Sequence, residues 1–373
     1  MAKRKTKGPK SPHQTSLREE DEAIEKIMQD DTLDEPAKID LIAEERGWFH
    51  SDTTIIDAFM AGELDAAAAA EKLAEPIDET YSTADHNRAL YTEERVARTQ
   101  RIYHSREKAL EMWGAEEDIA EPSPETVELP STEMQLWILW YSVLHAAKRI
   151  LWTDEARQEK LLSLVKILKA RPDPPLPYSM SVPLKRNWIW ASGTLWSSLN
   201  MLGPSARESW NDSCGCGAGW TILEQHAWTN VNAFVARLTV SETSNFVLYG
   251  MWALRDALES KPGSSASHHR NASLATQQQL LVTVAAVWIR IAGKYMYGFR
   301  SDKAVPKDVE VRLDAREKKL PWWRGEETMF CTARWHFWRR RFEQEAQNED
   351  VSEETRELAE KSAEIIRGLL STS

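Results

Sequence analysis

Residues 220–238 read WTILEQHAWTNVNAFVARL, and the spacing of their apolar side chains decides the fold class. Trp220, Leu223, Ala227, Val231, Phe234 and Leu238 stand at offsets 0, 3, 7, 11, 14 and 18. A half-buried strand alternates every second residue, whereas this series is one stripe of a helix with 3.6 residues per turn. The pattern continues on both sides. Upstream, residues 134–151 carry Trp137, Trp140, Tyr141, Leu144 and Leu151 and are apolar around most of their girth, as suits a helix inside a bundle. Thr132, with Gln135 three residues on, has the form of a capping box for that helix. Asp154 is placed to cap a further helix whose Leu161, Leu164, Val165 and Leu168 share one side, and Pro172, Pro174, Pro175 and Pro177 stop it. Downstream, two more helices are expected over 246–258 and 274–297. Cys331, Trp335, Trp338 and Phe342 again fall at offsets 0, 4, 7 and 11, and Asp350 with Glu353 marks the start of a last amphipathic helix. No run alternates as a strand would, and no fixed-period repeat is found. The expected fold is all-α: an irregular, Trp-rich bundle of about ten helices with a smaller acidic helical region ahead of it.

Composition limits what such a bundle can be. The 373 residues include 17 Trp against 8 Tyr and 8 Phe, so a core of bulky rings is expected, each buried indole N–H needing an acceptor. The formal charge of −11 argues against broad binding to a phosphate backbone. That charge is uneven. Residues 17–77 hold 18 Asp and Glu against 5 Lys and Arg, a net of −13, while Lys3, Arg4, Lys5, Lys7 and Lys10 make the first ten residues basic. The chain is therefore read as a disordered basic tail (1–16), an acidic helical region (17–115), a Pro- and Glu-containing linker (116–130), a Trp-rich helical domain (131–345) and a C-terminal helix (346–373). Within the acidic region, Ile55, Ile56, Phe59 and Met60 form one helical face, Gly62 breaks it, and Asp65 caps a second helix that Pro76 is expected to end. A further helix is expected over 93–113.

Several constellations could carry chemistry. Cys214–Gly215–Cys216 is best read as a flexible glycine loop with two free thiols, because zinc would need further ligands that the sequence does not space nearby. With Cys331 the count is odd, which excludes a disulfide framework. No secretory signal follows the basic start, and the apolar stretch 280–289 is too short to span a bilayer. A cytoplasmic or nuclear protein is expected. His268–His269 lies in a Ser-rich loop with no matching carboxylate, and Asn271–Ala272–Ser273 has the form of a glycosylation acceptor without meaning in the cytosol. In 334–342, helical spacing turns the aromatics to one side and most arginines to the other, with the acidic region as the expected internal partner of the basic face. The most suggestive polar set is His226, Asn230 and Arg237, at offsets 0, 4 and 11, with Arg207 and Glu208 from the preceding segment. Together they could line a small polar pocket among Trp rings, or simply satisfy helix ends and indole N–H groups. No phosphate loop, nucleophile elbow, dinucleotide fingerprint or paired-histidine metal motif occurs, so neither a metal nor a cofactor is expected.

Five segments of the Trp-rich part follow one another in order: Leu136–Trp137–Ile138–Leu139–Trp140 with Ala146, Ala147 and Lys148; Arg207–Glu208–Ser209–Trp210–Asn211; Trp228 with Asn230, Asn232, Ala233, Phe234, Ala236 and Arg237; Ala253–Leu254–Arg255 with Ala257–Leu258–Glu259; and Arg334–Trp335 with Phe337–Trp338. On these segments the Trp-rich part resembles a fungal family known as domain of unknown function 3632. The 212–219 insert and the long acidic start depart from the family. The resemblance implies a fungal origin and a helical domain, and it carries over no activity. Its members occur at times among accessory genes of secondary-metabolite clusters. The function expected first is that of a non-enzymatic interaction or scaffold protein with a protein partner; the alternative is an accessory small-molecule binder or minor enzyme of fungal secondary metabolism.

Overall fold

A computed structural model describes residues 12–82, 105, 107–108, 132–175, 194–260, 272–300 and 330–372. Twelve α-helices account for most of them: α1 (Pro12–Gln29), α2 (Glu35–Arg46), α3 (Thr54–Ala61), α4 (Ala66–Ser82), α5 (Thr132–Lys148), α6 (Glu155–Ala170), α7 (Leu202–Ser209), α8 (Ile222–Val240), α9 (Val247–Leu258), α10 (Leu274–Tyr297), α11 (Thr332–Glu345) and α12 (Glu353–Ser371). A short 3₁₀ turn, Trp210–Asp212, follows α7. Among the described residues there is no strand, only an isolated bridge between Cys214 and Ala218. The all-α expectation holds. The helix expected over 93–113 and the linker over 116–130 lie almost wholly outside the described residues, as do His268, His269 and Asn271.

Local signals explain most helix ends. Asp154 accepts the Arg157 N–H at 3.0 Å, and Asp65 accepts that of Ala68 at 2.8 Å, as their positions suggest. Four expectations are corrected. Helix α1 begins at Pro12, inside the stretch assigned to the tail. Thr132 makes no capping bond, and Gln135 instead donates its amide to Thr80 Oγ1 on α4 at 2.8 Å. Ser352, not Asp350, caps α12, accepting from Thr355 N. Helix α4 runs through Pro76 to Ser82. A mid-helix proline forfeits a hydrogen bond and costs about 3 kcal/mol, but the turns beyond it bury Ile77 and Tyr81 and offer Asp78 to Trp196 Nε1 at 2.8 Å. Those contacts hold the helix together past the break.

One large core joins α3 and α4 to the Trp-rich helices, while Ile24, Ile39, Ile42, Ala43 and Trp48 form a second cluster with Ala218, Leu223 and Ala227 beside the start of α8. Helix α10 is long and apolar enough to cross a bilayer by length and composition, yet 67% of its most apolar window is buried in the bundle, Trp288 included. Among the described residues five indoles are fully buried, and four find acceptors: Trp140 on Asn200 O (2.6 Å), Trp196 on Asp78, Trp288 on Asn232 Oδ1 (2.9 Å) and Trp338 on Glu259 Oε1 (2.7 Å). The Nε1 of Trp335 makes no hydrogen bond. Burying an indole of roughly 200 Å² contributes about 5 kcal/mol, which outweighs the ~1–3 kcal/mol cost of one unmatched N–H. Edge-on rings of Tyr297 and Trp338, each 5.1 Å away between centroids, complete the site of Trp335.

Among the described residues, the acidity of the first helices is spent internally and away from the basic face of α11. On α11, Arg334 is 1% exposed and bidentate to Glu259 of α9 at 2.7 and 2.8 Å, and Arg341 donates to Leu258 O. The acidic region pairs instead with His145 on α5, Arg149 just after it, Arg171 at the end of α6 and His226 on α8. Asp40 takes His145 (2.7 Å) and Arg149 (3.1 Å), Asp57 takes Arg149, and Glu71 and Asp78 take Arg171. In the opposite sense, Arg46 of α2 reaches Glu224 at 2.8 Å, with both side chains almost wholly buried. Alongside, Lys148 meets Asp212 at 2.6 Å, 4.7 Å above the Trp48 ring, and Asp212 also accepts the Phe49 N–H at 3.1 Å. Burial pulls the Lys148 ammonium down and pushes the Asp212 carboxyl up, each opposed by its partner.

Candidate ligand-binding cavity

The five residues expected to share a pocket are used separately. On α8, His226, Asn230 and Arg237 do lie along one face, toward the turn between α5 and α6. Asn230 is buried and joins two backbones, donating to Lys148 O at 2.9 Å and accepting the Trp152 N–H at 2.8 Å. Arg237 donates to Trp152 O at 3.3 Å and lines a recess with Arg290, Glu155 and Glu159. His226 meets Glu35 of α2 at 2.7 Å. Glu208 on α7 accepts from Asn211 and, with Asp212 and burial, pushes up the Tyr141 phenol, while exposed Arg207 stands near Tyr249. For Asn230 the bland alternative, satisfying helix ends, is what the structure shows.

A different cavity, of about 380 Å³, opens between the 3₁₀ turn, the loop after it, and α8, α9 and α10. Its walls carry five aromatic residues: Trp210, Trp220, Trp228, Tyr249 and Trp252. Four are in serial contact. Trp228 meets Trp210 edge-on at 4.9 Å between centroids, Trp210 meets Tyr249 at 4.5 Å and 85°, and Tyr249 meets Trp252 at 4.9 Å. Helix α10 closes the floor with Leu280, Leu281 and Val284, and Asn232, Gln277, Arg255 and Asp256 add polar groups.

The loop holding Trp220 is built rather than slack, which corrects the reading of the 214–216 stretch as flexible. Gly215 N–H donates to Ala218 O, Cys216 N–H to Ser213 O, and Gly217 N–H to Asn211 O, at 2.8–2.9 Å. The glycines are there for close approach. Gly215 has φ +85°, and a Cβ on it would stand 3.0 Å from the Trp220 ring; one on Gly217 would stand 2.6 Å from Asn211 O. Thr221 and Glu224 then start α8 with a reciprocal capping box, a signature the sequence carried and the apolar stripe from Trp220 obscured. Burial and the nearby Glu224 push the Cys214 thiol well above its ordinary value, so it stays protonated at neutral pH. No group of three His, Cys, Asp or Glu side chains able to hold a metal occurs among the described residues.

Against the habit of this fold, several polar groups of the cavity lack internal use. The indole N–H groups of Trp210, Trp228 and Trp252 make no hydrogen bond among the described residues, and the side chains of Arg255 and Asp256 make neither a hydrogen bond nor an ion pair. Asp256 keeps over a third of its surface exposed, yet the surrounding protein desolvates its carboxyl and raises its pKa, with Arg255 opposing and Glu259 adding. Asn232, in contrast, is committed to Trp288 and to Trp228 O.

A family model described as "Protein of unknown function (DUF3632)" matches residues 140–342. The chain belongs to this family. The match runs from Trp140 in α5 to Phe342 in α11 and includes every residue lining the cavity, while α1 to α4 and α12 lie outside it. No curated protein and no solved structure matches the chain. Of the side chains that carry the family resemblance, Trp210, Trp228, Asn232, Ala253 and Arg255 line the cavity. Glu259, Arg334 and Trp338 instead form the buried node beneath it. The pattern that sequence reasoning passed over is on α9, where Tyr249, Trp252, Ala253 and Asp256 stand at offsets 0, 3, 4 and 7 and share one face.

Proposed function

We propose that this protein binds a small organic molecule in the cavity between the 3₁₀ turn and α8 to α10, as an accessory binder rather than a catalyst. One observation carries the reading: five aromatic side chains surround about 380 Å³ of space into which the fold sends polar groups it does not itself use. Ligand sites are concave, mostly apolar and equipped with a few polar groups to fix orientation. Binding fits the electrostatics better than reaction does, since the one thiol in the wall is held protonated and Asp256 has no neighbouring nucleophile to activate. A scaffold role lacks a comparable carrier. The exposed large apolar side chains described fall one or two to an element: Leu41 on α2, Met134 and Ile138 on α5, Leu151 after it, Ile222 and Val240 on α8, Leu248 and Trp252 on α9, Leu274 on α10 and Phe299 after it.

The test is native mass spectrometry of the full chain against a library of organic molecules, repeated with Trp252→Ala and Arg237→Ala. Trp252 is 39% exposed, so its removal leaves the core intact. Adducts lost with Trp252→Ala and kept with Arg237→Ala support the cavity. Adducts lost with Arg237→Ala alone, or none at all across the library, refute it.

A further inference from the structure

We propose that the ligand is an organic cation, a protonated amine or quaternary ammonium, seated on the Trp210, Tyr249, Trp228 and Trp252 rings with Asp256 as its counter-charge. The inference rests on reading the cavity as a ligand site and names what that site selects. Aromatic faces carry negative electrostatic potential, and a cation within about 6 Å of several of them is attracted without needing a fixed orientation. Two of the ring contacts here are edge to face and the third, Tyr249 with Trp252, is tilted by 46°, so neighbouring faces turn in different directions and can enclose a rounded group such as trimethylammonium. A flat neutral ring would prefer a parallel slot.

The carboxylate decides between charge classes. Nearby acids are already matched: Glu259 holds Arg334 and Trp338, and Glu224 holds Arg46. Asp256 is the one carboxylate in the cavity wall and has no ion pair, even with its neighbour Arg255, which points from the next position around α9. A neutral guest leaves that carboxylate without a counter-charge. An anion would meet Asp256 and the ring faces, with Arg255 alone in its favour. A cation meets the four rings and Asp256 together, with Arg255 alone against it. Arg255, exposed at the same wall, stands to contact a polar or carboxylate group elsewhere on the same molecule.

Isothermal titration of the full chain with three probes of similar size reads this out directly: benzyltrimethylammonium, benzyl alcohol and phenylacetate. The cation is expected to bind at least about tenfold tighter than either of the others. Asp256→Asn should weaken the cation about three- to tenfold and leave benzyl alcohol unchanged, while Trp252→Ala weakens all three. Both positions are exposed, and unchanged melting midpoints establish that the variants fold. If benzyl alcohol or phenylacetate binds as tightly as the cation, or Asp256→Asn has no effect, the charge class is wrong and the cavity reading survives. Binding that ignores Trp252→Ala removes the cavity reading itself, and wild-type protein that takes up no ammonium overturns the proposal.

Discussion

Replacing Asp212 by Asn should destabilise the protein by about 3–5 kcal/mol, out of proportion to the single atom changed. The Lys148 side chain is 2% exposed, and its ammonium lies 2.6 Å from the Asp212 carboxylate, itself 4% exposed. Asparagine keeps an oxygen for the Phe49 N–H, so the loss is confined to charge. What remains is a buried cation with no counter-charge, and breaking such pairs from one side costs ~3–5 kcal/mol. With an unfolding entropy of ~2.1 cal/mol/K per residue over 373 residues, this lowers the thermal midpoint by about 5 °C. Because the pair is out of reach of counter-ions, the deficit should persist in 0.5 M salt, unlike that of a surface pair. Removing both charges together, Asp212→Asn with Lys148→Met, should recover all but about 1 kcal/mol, since a methionine stem still packs on Trp48. Circular dichroism melts of the four proteins in the cycle measure this. A single variant within ~1 kcal/mol of wild type, or a double variant no better than the single, would refute the argument.

Three further outcomes follow from other parts of the structure. Burial lowers His145 to about 4, against the pull of Asp40; because that is below its unfolded value near 6.5, the folded chain binds fewer protons, stability is full above pH ~6.5 and falls by up to about 3 kcal/mol as pH drops to ~4, and His145→Gln should flatten this slope in pH-dependent denaturation. A Cβ on Gly250 would lie 2.7 Å from both Met296 Sδ and Trp288 Cε3, so Gly250→Ala should cost ~1–3 kcal/mol in urea denaturation, and an unchanged midpoint would show that α9 and α10 can separate freely. Glu259→Gln leaves Arg334 buried with half its fork unmatched and should cost ~3–5 kcal/mol while Arg237→Ala costs ~1 kcal/mol, a ranking that thermal melts can reverse.

How far the sequence could be read depended on whether a signal was local. Helices α6, α8, α9 and α10 were legible because apolar period and capping residues sit within a few positions of one another, as with Asp154 and Arg157. Pro76 misled because its local penalty is overruled by partners about 100 residues away, Arg171 and Trp196. The Arg-rich face of α11 misled in the same way: Glu259, 75 residues upstream, takes Arg334 into the core, and no spacing rule links the two. For the site, the family resemblance names Trp210, Trp228 and Arg255 without bringing them together, while the polar residues expected to share a pocket lie on the neighbouring face of α8, where Asn230 bridges the end of α5 to the turn that follows it. Burial of polar groups marks structure as often as function, and only the third dimension shows which donors go unused.

The pairing of Arg46 with Glu224 spans 178 residues of chain. A ribosome adding about 5–20 residues per second takes roughly 9–36 s to cover that distance. For the early part of that interval the acidic helices have emerged while Arg149 and Arg171 have not. Their mutual repulsion then works in the nascent chain's favour, keeping apolar faces such as that of Ile56 and Phe59 from premature association. Once α8 is complete, the same charges become the adhesive that draws the early segment home. Synthesis order thus turns one set of carboxylates into a temporary solubiliser and a permanent fastener.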